Sequence, residues 1–479
     1  MTRRSPIPQL DLRLRSHSDG LLVSAGTPGT GEASDTTRLP EPAAMQRQRE
    51  ALVRALGSSR RDFTAGSEPA RGREGAQERA RELGTELFAA LFGRRVRALY
   101  EGLRARGEGL RLRLIFDSWD PAIARLCGLP WECLFDDCRR QFLLLEPGIT
   151  LVRHLAVGQP GRVLSLRPPL RLLAVASSHG PQLDLAAELR CLEKLRQRGR
   201  LSLELLTDPS PPLLWSALSR RFDVFHFLGH GGLDERGSGV LHLAGAPLRG
   251  DALARVFGGK TSPPLVVLNA CDSGTFGTGA PDPMASLAAE LVSRGVPAVV
   301  AMQWAISDPG AVAFSKAFYE ALAASRPVEA AVAEGRTSLL RSAWGDEWMT
   351  PVLYSRPVES LPVVLDPPSS GSDRIWPAVA PSAAALACIV VGLSYRVREL
   401  PPVPLLWLAL IPLALLIAAS WRRTAPRRRW QVVGWSLFFG SLLSLLAMLV
   451  ELGSWSLVSS AAERAGSGLL ALPSRRGVR

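Results

Sequence analysis

The chain has 479 residues, of which 47% are hydrophobic and only 6% aromatic, and its formal net charge at pH 7 is +13. This length predicts two or three domains. The basic residues are not interleaved with the stacking aromatics of a single-strand binder, so we expect no nucleic-acid partner. Six cysteines without a C-x-x-C pair disfavour a zinc site and a disulfide framework. We therefore expect free thiols in a reducing compartment, no metal and no cofactor.

The first part of the chain predicts a small sheet with helices. A polar lead occupies 1–8. Alternating apolar and polar residues indicate a hairpin at 10–23 and a strand at 110–115. Apolar residues at helical spacing indicate helices at 43–57 and 76–106. We expect a solvated loop at 26–32 and a Gly/Ser/Arg-rich loop at 58–73.

A Gly/Pro-rich stretch at 158–169 divides the chain into halves, 9–160 and 165–357. Beyond it, strands and helices alternate, which predicts a mainly parallel α/β sheet. The expected strands lie at 170–176, 201–206 and 296–304 and within 223–232 and 265–274. The expected helices are 184–198, 211–219, 283–295, 308–324 and 328–342.

Two of these apolar runs each end in a reactive side chain. The run 223–232 leads to His230, and the run 265–274 leads to Cys271. In open α/β sheets the chemistry lies beyond the carboxyl ends of the strands. A thiol and an imidazole on neighbouring strand ends are the parts of a cysteine nucleophile activated by an adjacent base. The sequence therefore favours His230 and Cys271 as a catalytic pair.

The motifs around these residues resemble those of CHAT domains, cysteine peptidases related to caspases and separase. The two central motifs are His-Gly-Gly at 230–232 and Asn-Ala-Cys-Asp-Ser-Gly at 269–274. The remaining similar motifs are Leu129-Pro130-Trp131-Glu132, Leu183-Asp184 with Glu188, the strand 294–300 and the closing strand 348–354. Together they cover roughly residues 9–357, in the family's order.

The resemblance implies a caspase-like three-layer αβα sheet in two halves. The N-terminal half would be a pseudo-protease, and the C-terminal half would be active. His230 and Cys271 would act as a dyad on a protein substrate, and the backbone N–H groups of Gly231 and Cys271 would form the oxyanion hole. Members of such families often belong to bacterial defence or regulated cell death systems.

Other candidate residues have alternative interpretations. Asp272 either lines a substrate pocket that favours a basic residue or caps the next turn. We expect His226, in the middle of its strand, to be a buried histidine that donates to a backbone carbonyl. Cys133 and Cys138 are expected to be ordinary small apolar residues.

The C-terminal region predicts a membrane anchor. After a linker at 358–374, residues 375–459 contain three apolar segments of the length that a membrane helix needs, and a polar tail follows at 460–479. The segments are 376–395, 403–421 and 430–457. Five arginines at 422–429 would keep that loop in the cytoplasm. The sequence therefore predicts an all-α transmembrane region and a multi-pass membrane protein whose catalytic domain faces the cytoplasm.

The function predicted from the sequence is a membrane-anchored cysteine endopeptidase. The alternative is a catalytically silent, membrane-tethered scaffold or sensor that uses the same fold to bind a partner. The simultaneous presence of His230 and Cys271 favours the enzyme.

Overall fold

The protein is described from a computed structural model. The structure describes residues 7–356, except 19, 28–30, 39–40, 65–69, 108, 118–119, 157–165, 167–168, 179–183, 236–237, 244–246, 258–261, 271–286 and 343–344. The chain divides after Ser370 into two units, and all described residues belong to the first.

The N-terminal part contains three strands before its first helix. Its elements are β1 (Gln9–His17), β2 (Gly20–Thr27), β3 (Gly31–Thr37), α1 (Pro42–Thr64), α2 (Ala70–Leu91), α3 (Arg94–Arg104), β4 (Leu110–Asp117), α4 (Pro121–Leu126), β5 (Phe135–Asp136), β6 (Gln141–Phe142) and β7 (Ile149–Ala156). Short 3-10 turns lie at Trp131–Cys133 and Leu143–Leu145.

The C-terminal part alternates strands and helices, as the sequence predicts. Its elements are β8 (Leu170–Ala176), α5 (Leu185–Gln197), β9 (Leu201–Thr207), α6 (Pro211–Leu218), β10 (Val224–Leu228), β11 (Gly231–Leu233), β12 (Gly239–His242), β13 (Pro247–Arg249), α7 (Gly250–Phe257), β14 (Leu265–Asn269), α8 (Leu287–Ser293), β15 (Ala298–Met302), α9 (Asp308–Ala323), α10 (Val328–Leu340) and β16 (Pro351–Ser355). A 3-10 turn at Gly345–Met349 precedes β16.

Eleven of the described strands form one central sheet in a mixed α/β fold. Their order is β3-β2-β1-β4-β7-β16-β15-β14-β10-β8-β9. Strands β10, β14 and β15 are buried along their whole length, which explains why their sequences are continuous apolar runs. Within this sheet, β8, β9, β10, β14 and β15 pair in parallel, and β16 runs antiparallel to β15.

The two parts of the chain meet inside this sheet. Strand β16, from the end of the described chain, pairs in parallel with β7, with Tyr354 opposite Arg153 and Ser355 opposite His154. All four of these side chains are buried. The sheet is therefore continuous across the predicted boundary between the halves.

Three local differences separate the observed N-terminal elements from the predicted ones. The expected loop at 26–32 contributes Gly31 and Glu32 to β3, which extends the hairpin by a third strand. The expected loop at 58–73 is helical over 58–64 and 70–73. The expected helix 76–106 breaks at Gly93, where the Asp35 carboxylate from β3 accepts a hydrogen bond from the Val96 N–H at 2.8 Å. A Cβ at position 93 would lie 2.5 Å from the Asp35 Cβ, so the sheet and the helix start require glycine there.

The predicted membrane localisation needs correction. No helix among the described residues is both long and apolar enough to cross a membrane. Helices α1 and α2, with 23 and 22 residues, have the length, but charged side chains recur along both. This finding contradicts the prediction of a multi-pass membrane protein whose catalytic domain faces the cytoplasm. The segments 376–395, 403–421 and 430–457, on which the prediction relied, lie outside the described residues.

Candidate active site

His230 lies just beyond the carboxyl end of a central, fully buried strand. It is the second residue after Leu228, the last residue of β10, and its side chain is half-buried. Its carbonyl accepts a hydrogen bond from the His242 N–H at 2.9 Å. This bond fixes the backbone of His230 between the central sheet and the small sheet formed by β11, β12 and β13.

The strand that leads to Cys271 is the direct neighbour of β10. Strands β10 and β14 pair in parallel, with Leu228 opposite Asn269, and the Gly229 N–H donates to the Asn269 carbonyl at 3.4 Å. Cys271 is the second residue after Asn269, as His230 is the second after Leu228. Cys271 and Asp272 lie outside the described residues. The register therefore places the ends of β10 and β14 side by side. In the sequence, His230 and Cys271 each come two residues after one of these ends.

Small residues surround the end of β10. A Cβ at Gly229 would lie 2.9 Å from the Phe227 ring and 3.0 Å from the carbonyl oxygen of Ser177, so a side chain there would require the Phe227 ring or the Ser177 backbone to shift. Gly231 begins β11, where it pairs with Leu241, and it is half-buried. Its predicted contribution to an oxyanion hole stays a prediction.

A buried polar cluster lies beside the end of β14. Both carboxylate oxygens of Glu188, on α5, accept hydrogen bonds from the Asn269 Nδ2, at 2.9 and 2.8 Å. The Ser315 hydroxyl, on α9, donates to the same carboxylate. Burial raises the pKa of Glu188 to about 7, while the donors from Ser315 and Asn269 oppose that rise. The helix face that carries this carboxylate is otherwise apolar.

His226 belongs to the same cluster. Its side chain is fully buried, as predicted, but its Nδ1 lies 2.9 Å from the Tyr319 hydroxyl rather than on a backbone carbonyl. Its Nε2 lies 3.4 Å from the Glu188 Oε1. Burial lowers the pKa of His226 to about 3, so the ring is neutral and its contact with Glu188 is not an ion pair.

Glu188 could be found from the sequence, but its partners could not. In α5, the spacing of Leu185, Leu189 and Leu192 marks an apolar face, and Glu188 falls on that face instead of the solvent-exposed one. Asp184 caps the same helix by accepting from the Ala187 N–H at 3.3 Å. The Leu-Asp…Glu stretch therefore combines a helix start with an inward-facing carboxyl group.

The Leu-Pro-Trp-Glu motif forms a second buried cluster, in the N-terminal part. Glu132 and Arg153 form an ion pair in which both side chains are about 1% exposed. The Arg153 guanidinium also donates to the Cys127 carbonyl at 2.8 Å and to the Gln303 side chain at 3.2 Å. Gln303 directly follows β15. The motif thus forms part of a buried structural cluster and connects β7 with the carboxyl end of β15.

Cysteines in the described part of the chain differ in exposure. Cys133 is fully buried, as predicted, and burial raises the pKa of its thiol far above the ordinary value. Cys138 is exposed, so its prediction as a small apolar residue is wrong. Burial raises the pKa of Cys127 to about 12. The buried thiols Cys127 and Cys133 are therefore poor candidates for a nucleophile.

Comparisons with known proteins place the chain in a family context. A family model described as the CHAT domain matches residues 79–384. No curated protein matches the chain. The chain is similar to a chain of the Saccharomyces cerevisiae separase–securin complex, with a TM-score of 0.46 and 13% identity over 73% of this chain and 30% of that chain. It is also similar to the Arg-specific cysteine proteinase gingipain R, with a TM-score of 0.40 and 14% identity over 57% of this chain and 69% of that chain. A complex of the Porphyromonas gingivalis RgpB pro- and mature domains gives a TM-score of 0.39 and 15% identity over 57% of this chain and 71% of that chain.

Proposed function

The chain belongs to the CHAT domain family, and from this premise we propose that it is a cysteine endopeptidase that uses His230 and Cys271 as a dyad. The observation that carries the proposal is the register of β10 and β14, which aligns Leu228 with Asn269, each two residues before a member of the pair. The caspase-like division into a pseudo-protease half and an active half is part of the same proposal.

The proposed reaction proceeds in two steps. His230 takes the proton of the Cys271 thiol, and the thiolate attacks the carbonyl carbon of the scissile peptide bond. The backbone N–H groups of Gly231 and Cys271 stabilise the oxyanion of the tetrahedral intermediate. The C–N bond then breaks, His230 returns the proton to the leaving amine, and an acyl-enzyme remains. Water attacks this thioester with His230 as base, which releases the new carboxyl terminus and restores the thiol.

The substrate is proposed to be a protein. Asp272 bears on which residue the enzyme prefers before the scissile bond. If Asp272 lines the pocket, its carboxylate favours a basic residue before the scissile bond. If it caps a turn instead, exchanging it changes stability rather than selectivity. Both interpretations stay open for this residue.

A proteome-wide assay tests cleavage without a chosen substrate. Wild-type protein and the variants Cys271→Ala and His230→Ala are incubated with a denatured proteome, and new protein N-termini are identified by mass spectrometry. We expect new termini with the wild type and a loss of at least about a hundredfold with each variant, because removing a nucleophile or its base removes covalent catalysis. Cys138→Ala, which removes an exposed thiol distant in sequence, is the matched control and should cleave like wild type. Undiminished cleavage by folded Cys271→Ala would refute the proposal, and no cleavage by any form would favour a binding scaffold.

A further inference from the structure

The Glu188 carboxylate accepts hydrogen bonds from side chains of two other elements. Two N–H···O contacts come from Asn269 and one O–H···O contact comes from Ser315. His226 Nδ1 lies 2.9 Å from the Tyr319 hydroxyl, and its Nε2 lies 3.4 Å from Glu188 without a hydrogen bond among the described residues. Carboxylates accept hydrogen bonds only, so this surrounding suits the ionised form.

No charge in the described part of the chain lowers the pKa of Glu188 to compensate for its burial. Among the described residues, the titratable groups that face it are Asp308 and Tyr319 on α9, His226 on β10 and Cys191 on its own helix α5. Asp308 raises the pKa of Glu188 further. The donors around Glu188 are thus arranged for a charge that its position disfavours. A glutamine of the same shape would carry no buried charge, but its NH2 group would replace one of the two oxygens that accept from Asn269.

Asn269 connects this carboxylate to the candidate active site. Its side chain donates to Glu188, while its backbone carbonyl accepts from the Gly229 N–H, immediately before His230. Its Oδ1 is buried without a hydrogen-bond partner in the described part of the chain. Glu188 is therefore the group that holds the amide of Asn269 in one orientation at the point where β14 ends.

We propose that Glu188 is a positioning residue that acts through Asn269 to fix the start of the segment carrying Cys271. This inference rests on the proposed function, because it assigns Glu188 a role in orienting the nucleophile of that reaction. When Glu188 is ionised, both of its oxygens hold the Asn269 amide. When Glu188 is protonated, one oxygen still accepts from the amide, but the O–H on the other faces an N–H donor, so one of the two contacts is lost.

The pH dependence of Cys271 reactivity follows from this arrangement. The pKa of Glu188 is about 7. The second hydrogen bond from the Asn269 amide to the carboxylate therefore forms as the pH rises through that value. Removing the Ser315 donor destabilises the carboxylate and moves the transition to higher pH. If the cluster had only a structural function, substitutions in it would change the stability of the protein without moving the pH at which Cys271 reactivity changes.

The test measures alkylation of Cys271 by iodoacetamide between pH 5.5 and 8.5, quantified on the peptide that contains it. The exposed Cys138 serves as an internal reference in every sample. We expect Glu188→Gln to lower the Cys271 rate at pH 8 at least about fivefold relative to Cys138, because a small misplacement of a reacting group costs large factors in rate. Ser315→Ala should move the transition upward by about one pH unit, as expected for loss of one hydrogen bond to a charged group.

Glu193→Gln is the matched control on the same helix, since Glu193 is exposed and contacts Arg196 instead of the cluster. It should leave both the rate and the transition unchanged. If Glu188→Gln and Ser315→Ala behave like Glu193→Gln, the inference is wrong. Ser315→Ala keeps the test decisive if Glu188→Gln does not fold.

His230→Ala, measured in parallel, separates this inference from the proposed function. A Cys271 rate that depends on His230 but not on Glu188 would retain the dyad and overturn the positioning role. A rate that is independent of His230 would contradict the proposed function itself, whatever Glu188→Gln does.

Discussion

At the scale of single residues, Glu188 is unfavourable for stability in its ionised form. Burial raises its pKa from the ordinary value of 4.5 to about 7. Between these values the folded protein binds a proton that the unfolded chain does not, so the contribution of this group is fully present below pH 4.5 and is lost as the pH rises through 7. The total loss is about 3 kcal/mol. A function that requires the carboxylate is a reason to keep such a group.

This linkage predicts how a glutamine at position 188 changes stability with pH. We expect the difference in unfolding free energy between Glu188→Gln and wild type to shift in favour of glutamine by about 2 to 3 kcal/mol from pH 5 to pH 8, because only the wild type acquires a buried charge. Urea unfolding at both pH values measures this shift. A difference that is constant with pH would show that Glu188 titrates alike in the folded and unfolded chain. Glu193→Gln again provides the comparison.

Single residues also show what the sequence could and could not reveal. The burial of His226 could be predicted, since it lies within a continuous apolar run. Its partner could not, because Tyr319 is 93 residues away in the chain, on α9. The same holds for Asn269 and Glu188, which are 81 residues apart. A side chain on an apolar helix face indicates a buried contact without naming the atom that it meets.

At the scale of elements, helix α2 approaches the 3-10 turn Trp131–Cys133 at Gly84. A Cβ at this position would lie 1.9 Å from the Cys133 carbonyl oxygen, which is backbone and cannot move aside cheaply. Gly75, on the same helix, has no atom within 4 Å of such a Cβ. Substitutions at these two glycines therefore distinguish the effect of close packing on stability from the effect of helix propensity.

We expect opposite effects when each of these glycines is replaced by alanine. Gly84→Ala should destabilise the protein by about 1 to 3 kcal/mol through overpacking, and Gly75→Ala should stabilise it by up to about 1 kcal/mol through helix propensity. Thermal unfolding followed by circular dichroism gives both signs. Equal effects at the two positions would mean that α2 does not pack on the turn as described.

Element boundaries were predicted least well where another element decides them. The break between α2 and α3 depends on Asp35, which reaches from β3 to the Val96 N–H. The apolar pattern continues across Gly93, so that pattern alone predicts one helix, although glycine is a common residue at helix ends. By contrast, Asp308 and Pro309 predict the start of α9, and the helix begins at Asp308. The N-cap is Ser307 instead of Asp308, since the Ser307 hydroxyl accepts from the Gly310 N–H at 3.1 Å.

At the scale of the described fold, one sheet joins the two parts of the chain. The ion pair of Glu132 with Arg153 lies at this junction, and Arg336 from α10 approaches the same carboxylate at 3.6 Å. Burying two arginines with one glutamate has a large desolvation cost, so the cluster favours one arrangement of the junction more than it adds stability. The sequence predicted two halves, but not that β16 returns to pair with β7.

The central claim is that His230 activates Cys271. The most direct measurement is the rate of Cys271 alkylation by iodoacetamide at pH 6 in wild type and in His230→Ala, each relative to Cys138. An ordinary thiol with a pKa of about 8.5 is almost entirely protonated and unreactive at pH 6. We predict a wild-type rate at least about tenfold above that of His230→Ala, whose reactivity should follow the ordinary thiol. Equal rates in the two proteins at pH 6 would contradict the dyad.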